Sequence, residues 1–143
     1  MTDRDEDRED RRRLARWVFA SLDDVPVVAV EILATALRLA GGTAGAFAPA
    51  CSYFADVRRY GGRDDLAALA MDVALRRTAM FAPDCDELIE HLEGVEVPPW
   101  PRLAAALGAV RRGATAELVA MIDRDPRALP GEGLSAETPT KEK

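Results

Sequence analysis

The chain has 143 residues, a length that fits a single domain. Apolar residues make up 48% of the chain and aromatic residues only 6%, and alanine and leucine, the best helix formers, supply most of the apolar share. The net charge of −6 disfavours a nucleic-acid-binding protein, because phosphate recognition needs clustered lysine and arginine, whereas an acidic body favours basic partners.

The sequence also disfavours a membrane protein or a secreted protein. Its longest apolar stretch, residues 25–40, is shorter than the roughly 20 residues that span a bilayer and contains Glu31 and Arg38. The charged N-terminus lacks the apolar segment of a signal peptide. Two cysteines, Cys51 and Cys85, are too few for a disulfide scaffold and fit a reducing compartment. We therefore predict a cytoplasmic protein that does not cross a membrane.

Glycines and prolines divide the chain into segments whose apolar residues recur every three or four positions, as they do in amphipathic helices. Seven helices are predicted, at residues 9–22, 25–40, 46–60, 64–80, 84–93, 101–112 and 115–125. Asp23 or Asp24 is expected to cap the second helix, and Asp64 the fourth. Three prolines predict an extended linker over residues 95–101.

The predicted fold class is all-α, a compact bundle of about six to seven short helices in helical hairpins, followed by a disordered C-terminal tail. Residues 1–10 form a charged N-terminal arm whose order the sequence leaves open. Residues 11–128 form a single helical domain. Residues 129–143 are rich in Gly, Pro, Ser, Thr and charged residues, a composition typical of disorder.

The second predicted helix is the most informative. Between residues 25 and 40 its only polar side chains are Glu31, Thr35 and Arg38, which form one narrow stripe, and a helix that is otherwise apolar is buried on several sides. We favour a central helix of the bundle, because a chain of this length can surround one helix. The alternative is that this helix supplies half of an oligomer interface.

A short string, Phe-Ala-Pro-Xaa-Cys, occurs at residues 47–51 and again, 34 residues later, at residues 81–85. The small and aromatic residues of a tetratricopeptide repeat are missing at their offsets, so the spacing does not indicate that repeat. Chance similarity in an alanine-rich chain is favoured over duplication of a helical hairpin.

No catalytic, cofactor-binding or metal site is predicted. Glu87 and His91 lie one helical turn apart and could offer two metal ligands, but His91 is the only histidine and no further ligand accompanies the pair. Cys85 and His91 are about 120° apart around one helix, so they cannot form a nucleophile–base pair. Cys51 lies on an apolar face, where a buried structural thiol is expected. The chain is therefore predicted not to be an enzyme.

Two features of the sequence are candidates for partner binding. Trp100 is flanked by stiff prolines, which lower the entropy lost when its ring docks on a partner; the alternative is that Trp100 folds back onto the bundle. The second feature is a group of acids in the fifth predicted helix, called here the acidic face: Asp84, Asp86, Glu87, Glu90 and Glu93.

Three arginine pairs fall near predicted helix C-termini, where cations offset the negative end of the helix dipole. They are Arg58 with Arg59, Arg76 with Arg77, and Arg111 with Arg112. The alternative is that the pairs converge on one anion-binding surface. Asp72 and Arg76 lie one turn apart and are expected to form an exposed ion pair.

Together these patterns predict a non-catalytic helical interaction protein, such as an adaptor, an assembly subunit, or an inhibitor or regulator. It is expected to present the acidic face to a protein partner or to self-associate, without a small-molecule substrate or cofactor. The alternative is a small helical nucleic-acid-associated subunit that uses the arginine pairs, an assignment that the acidic body disfavours.

Overall fold

The computed structural model of the chain describes residues 2–127 and, within them, all side chains except those of residues 2–7, 64 and 82. Every regular element in this range is a helix, which confirms the all-α prediction. The helices are α1 Thr2–Ala20, α2 Val27–Ala40, α3 Gly42–Gly45, α4 Ala48–Tyr60, α5 Asp64–Ala79, α6 Ala82–Glu93, α7 Trp100–Arg112 and α8 Thr115–Arg124. The predicted disordered tail, residues 129–143, lies outside the described residues.

Glycine marks the C-terminal ends of three long helices, as the sequence indicates. Helices α2, α4 and α7 are followed by Gly41, Gly61 and Gly113, each with a positive φ. At Gly113, φ is 72° and the residue is left-handed, so that its N–H turns back to the carbonyls of Ala109 and Val110. A side chain with a Cβ is strained in that conformation, so glycine is the residue that closes α7.

Two local predictions are wrong. Helix α2 begins at Val27, and neither Asp23 nor Asp24 caps it, because the residues after α1 form turns before the helix starts. Residues 95–101 do not form an extended linker. The Trp100 N–H donates to the Val97 carbonyl at 3.0 Å, and this turn leads directly into α7.

The start of α1 and the cap of α5 differ from the predictions. Helix α1 begins at Thr2 and not at the predicted residue 9, so the backbone of residues 2–10 is helical. The physical reason lies in the mixed charge, because acids placed four residues before arginines support a helix. Helix α5 begins at Asp64 itself, and the preceding residue, Arg63, supplies no side-chain cap.

Helix α5 occupies the centre of the bundle, where it packs against α1, α4 and α7. Its inward side chains are mostly small and are at most 5% exposed: Ala67, Ala68, Met71, Ala74 and Leu75. Because the distance between packed helices depends on the side chains at the contact, alanine lets the neighbouring helices approach closely. The short helices therefore enclose a continuous core with few aromatic rings.

The interpretation of residues 25–40 as the central helix is wrong. Helix α2 lies at the edge of the bundle, and its most extensive contacts are with α4 and α3. Its buried residues are Val30, Ala34 and Leu37. Val27 and Leu33 are half-buried against the edge of the core, whereas Val28, Ile32 and Leu39 are exposed. Among the helices of residues 2–127, none is both long and apolar enough to cross a membrane.

A buried ion pair joins α1 to the central helix α5. The Arg11 Nε donates to the Asp72 Oδ1 at 2.5 Å, and the two residues are 8% and 5% exposed. The Nε of Arg12 lies 3.8 Å from the other carboxylate oxygen of Asp72. The predicted surface pair between Asp72 and Arg76 is therefore wrong, because the Asp72 carboxylate is buried against the arginines of α1, whereas the Arg76 side chain is exposed.

The two Phe-Ala-Pro-Xaa-Cys strings each start a helix, although Phe47 is buried and Phe81 is 62% exposed. Each places its phenylalanine at the N-cap, its proline in the first turn and its cysteine in the interior, at the starts of α4 and α6. The helix pairs around them differ, however. Helix α2 packs along α4, whereas α5 contacts α6 only to a small extent. The shared feature is therefore a helix start, and the packing does not repeat as a hairpin.

The buried ion pair leads to a test of stability. Asp72→Ala removes the buried carboxylate that binds Arg11 across the two helices, and we expect the free energy of unfolding to fall by about 1.5–3 kcal/mol. Arg76→Ala, the matched control at the residue that sequence spacing pairs with Asp72, should change it by about 0.5 kcal/mol or less. Urea unfolding followed by circular dichroism measures both, and equal effects of the two substitutions would contradict this assignment.

Candidate functional site

An exposed apolar surface lies on the outward side of α2, called here the outer stripe: Val28, Ile32, Thr35, Ala36 and Leu39. Its three large apolar side chains, Val28, Ile32 and Leu39, are 55%, 64% and 81% exposed. At 100° per residue, the stripe lies opposite the face that packs on α4. Helix α2 is therefore apolar on two opposite sides, of which only one is covered.

Charged residues border the outer stripe along one flank. The Glu31 carboxylate accepts two hydrogen bonds from Arg59 of α4, both at 2.8 Å. This bidentate pair fixes Glu31 beside the stripe and raises the pKa of Arg59. Arg38 lies seven residues after Glu31, in the last turn of α2, and is exposed. The flank thus presents one acidic and one basic position, two helical turns apart.

An apolar cleft of about 250 Å³ separates α2 from α6 and α7. Leu33, Ala36 and Leu37 line it from α2, and Leu88 and Leu92 line it from α6. Trp100 lines the same cleft as the first residue of α7; its ring is half-buried and packs against the core. Trp100 therefore folds back onto the bundle, and Ala36 of the outer stripe also lines this cleft.

All five members of the acidic face, Asp84, Asp86, Glu87, Glu90 and Glu93, are exposed on α6. One of them, Asp86, forms an ion pair with Arg111 of α7 at 3.3 Å. His91 is exposed on the same helix. Within the described residues, no three His, Cys, Asp or Glu side chains come together in a group that could hold a metal ion.

A groove of about 690 Å³ lies between α3, α4, α5 and the start of α6. It brings together Arg77, from one of the arginine pairs, and Asp84, from the acidic face. The groove is otherwise lined largely by small and apolar side chains, including Ala46 and Ala74. The two opposite charges give it no net preference for an anion or a cation.

The two cysteines are free and buried, as predicted for Cys51. Burial raises the pKa of the Cys51 thiol to about 12. Burial also raises the pKa of Cys85, an effect that Arg111 opposes and Asp86 reinforces. Both side chains are therefore protonated at neutral pH and lack the thiolate character of a nucleophile.

The three arginine pairs occupy the last turns of α4, α5 and α7, as the sequence predicts. Several of these arginines already bind within the protein. Arg58 donates to the carbonyls of Leu22 and Val25, at 2.9 and 2.5 Å, and Arg59 binds Glu31. Arg111 binds Asp86. Arg76, Arg77 and Arg112 are exposed.

The arginine pairs do not all lie at one end of the bundle. Helices α4 and α5 follow each other across the short segment 61–63 and pack together, so that their C-termini point to opposite ends. Helix α5 is about 24 Å long. The pair Arg58 and Arg59 is therefore about one helix length away from the pair Arg76 and Arg77.

The sequence predicts an interface on residues 25–40 only as the alternative to a central helix, because the apolar pattern does not show which side of the helix is covered. A signal was nevertheless present. Residues 28, 32, 35 and 39 follow a four–three–four spacing, and Glu31 and Arg38 lie on one side of it. The run of acids singles out the acidic face and the flanking prolines single out Trp100, which the structure places against the core.

Comparison of the chain with protein-family models, with curated proteins and with solved structures finds no match. The function must therefore be argued from the residues themselves.

The two sides of α2 lead to a matched pair of predictions. Leu37 is 5% exposed and Leu39 is 81% exposed, although they lie two residues apart. Leu37→Ala should lower the free energy of unfolding by about 2–5 kcal/mol, because it leaves a cavity in the core. Leu39→Ala should lower it by less than about 1 kcal/mol. Urea unfolding at a protein concentration low enough to prevent association measures both, and a large loss for Leu39→Ala would contradict the exposed position.

Cys51 leads to a prediction about pH. Its pKa is about 12 in the folded protein, against an ordinary value of 9.0. The folded state therefore retains the Cys51 proton to higher pH than the unfolded state does. The contribution of the protonated thiol to stability is complete below about pH 9 and is lost as the pH rises toward 12. Cys51→Ala should make the free energy of unfolding fall less steeply between these limits. Urea unfolding at a series of pH values compares the two slopes, and identical slopes would argue against this shift.

Proposed function

We propose that this protein is a non-catalytic interaction protein that acts by binding an apolar helix on the outer stripe of α2. One observation carries the proposal: Val28, Ile32 and Leu39 are 55–81% exposed on the side opposite the core. Isolated apolar residues are ordinary on protein surfaces, but an apolar patch bordered by polar residues marks interaction sites.

The energetics support a bound partner. Full burial of a large aliphatic side chain contributes about 1.5–3 kcal/mol. When the exposed fractions of these three residues are taken into account, covering them contributes on the order of 3–6 kcal/mol. That gain is available only to a partner that brings its own apolar surface, because a polar partner would lose hydrogen bonds to water without replacement.

The acidic face on α6 is proposed as a second, polar contact, suited to a basic partner. Its exposed carboxylates lie on a different helix from the outer stripe, so the two surfaces can be tested separately. Trp100 is proposed to shape the cleft between α2 and α6 while it remains packed against the core. An adaptor, an assembly subunit or a regulator would use such surfaces without any reaction.

We further propose that this association takes place in the cytoplasm. Two free, buried thiols fit a reducing compartment, in which cysteines remain unpaired.

Site-directed photo-crosslinking in the native host tests the proposal. A photoreactive amino acid replaces Ile32 or Leu39 on the outer stripe, and in a matched control it replaces Leu66, an exposed leucine on α5. We expect a discrete crosslinked protein from positions 32 and 39, because the outer stripe contacts a partner there, and none from position 66. Absence of any crosslinked protein from both stripe positions, or the same products from position 66, would overturn it.

A further inference from the structure

We infer that the occupant of the outer stripe is α2 of a second copy of this chain, which runs antiparallel to the first about a twofold axis. The inference rests on the proposed function, since it names the partner of the same surface. The sequence of residues 128–143 is dominated by Gly, Pro, Ser, Thr and charged residues and contains no apolar run that matches the stripe.

The spacing of the stripe fits a helix–helix seam. Val28, Ile32, Thr35 and Leu39 are separated by four, three and four residues, which is the spacing of a coiled coil. When two such helices run antiparallel with Val28 against the second copy's Leu39, Ile32 meets the second copy's Thr35. The twofold axis repeats both contacts. Each layer then combines a larger and a smaller side chain, as interlocking packing requires.

The charges on the flank decide the direction of the second helix. Glu31 and Arg38 border the same side of the stripe. In an antiparallel pair the same flanks face each other, so each Glu31 meets the Arg38 of the other copy. In a parallel pair opposite flanks face each other, and both charges would meet the alanine flank instead. The complementary arrangement exists only in the antiparallel pair, and it sets the register.

Glu31 can form this contact while it remains bound to Arg59. Each of its carboxylate oxygens accepts one hydrogen bond from Arg59, and a carboxylate has about four acceptor positions. Arg59 therefore holds Glu31 in place, and the exposed Arg38 of the other copy can reach its free lone pairs. The side-chain entropy lost by Glu31 on association is small for the same reason.

The other flank of the stripe is built from alanine. Ala36 is exposed and Ala29 is half-buried. The antiparallel register places Ala36 of one copy beside Ala29 of the other copy. A Cβ alone permits the two helices to approach closely, as the alanines of α5 do inside the bundle. The seam therefore has an ion pair on one side and close backbone packing on the other.

Sedimentation equilibrium of the purified full chain tests the association. We expect a reversible dimer with a dissociation constant of roughly micromolar order, because one pair of short helices buries less than a standard interface. Ile32→Gln should weaken the dimer at least about 10-fold. Leu66→Gln, at an exposed leucine away from the stripe, should leave it unchanged. A chain that remains monomeric, or an equal effect of both substitutions, would overturn the inference.

The charge pairs are tested by Glu31→Gln, Arg38→Gln and the double variant. Each single change removes both symmetry-related pairs, so each should weaken the dimer by about 2- to 30-fold. The double variant should weaken the dimer little more than either single variant does, because each single change already removes both charge pairs. Arg38→Gln leaves the pair between Glu31 and Arg59 intact, so an effect only of Glu31→Gln, or fully additive effects, would argue against the facing charges.

Engineered cysteines report the orientation directly. A chain with Val28→Cys is mixed with a chain with Leu39→Cys under mild oxidation, and the native thiols at 51 and 85 remain buried. The antiparallel register predicts a disulfide between the two different chains. Two copies of position 28 would lie about 16 Å apart along the helices, beyond disulfide reach. Predominant 28–28 disulfides would indicate a parallel pair and overturn the inference.

Failure of the dimer and failure of the proposed function give different results. A monomeric purified chain whose positions 32 and 39 crosslink to a different protein in the native host would overturn the second copy as partner and leave the interaction site standing. A monomeric chain that yields no crosslinked protein would overturn both. A crosslinked product with twice the mass of the chain, together with a dimer in solution, supports both.

Discussion

The contact between Arg11 and Asp72 links the first helix of the protein to its central one, and much of the remaining architecture depends on it. The two residues are 61 positions apart and less than 10% exposed, and the guanidinium and carboxylate meet at 2.5 Å. Such a pair tolerates little displacement, since a hydrogen bond between buried charged groups weakens steeply when its geometry is disturbed. It therefore fixes α1 against α5, and α7 and α8 pack against the platform that these helices form.

The helices were predictable from the sequence because their limits are local. Glycine after α2, α4 and α7 and the three-and-four spacing of apolar residues depend on neighbours within a turn or two. The partner of Asp72 was not predictable in this way. Spacing along one helix pointed to Arg76, whereas the actual partner lies on another helix, and a buried carboxylate selects whichever cation the fold brings to it. The same limit applies to Asp23 and Asp24, whose capping role is lost because the chain forms turns there.

The candidate site was only partly predictable from the sequence for a similar reason, because the contacts between helices decide which side of each helix is covered. Composition indicates that α2 has apolar residues around nearly all of its circumference, but α5 is the helix at the centre of the bundle. The alanines of α5 let three neighbouring helices approach more closely than the larger residues of α2 would. Cys51 was placed correctly because its apolar neighbours lie on the same helix. Trp100 was ambiguous because the direction of its ring is set by the turn from Val97, which the run of prolines did not reveal.

The edge position of α2 separates the requirements of folding from those of recognition. Val30, Ala34 and Leu37 hold the helix to α4, and none of them belongs to the outer stripe. Substitutions on the outward side of α2 can therefore accumulate with little effect on the packing of its inward side. A lineage could exchange a self-pairing surface for one that fits a different helix through a few changes, while the folded body remained intact throughout.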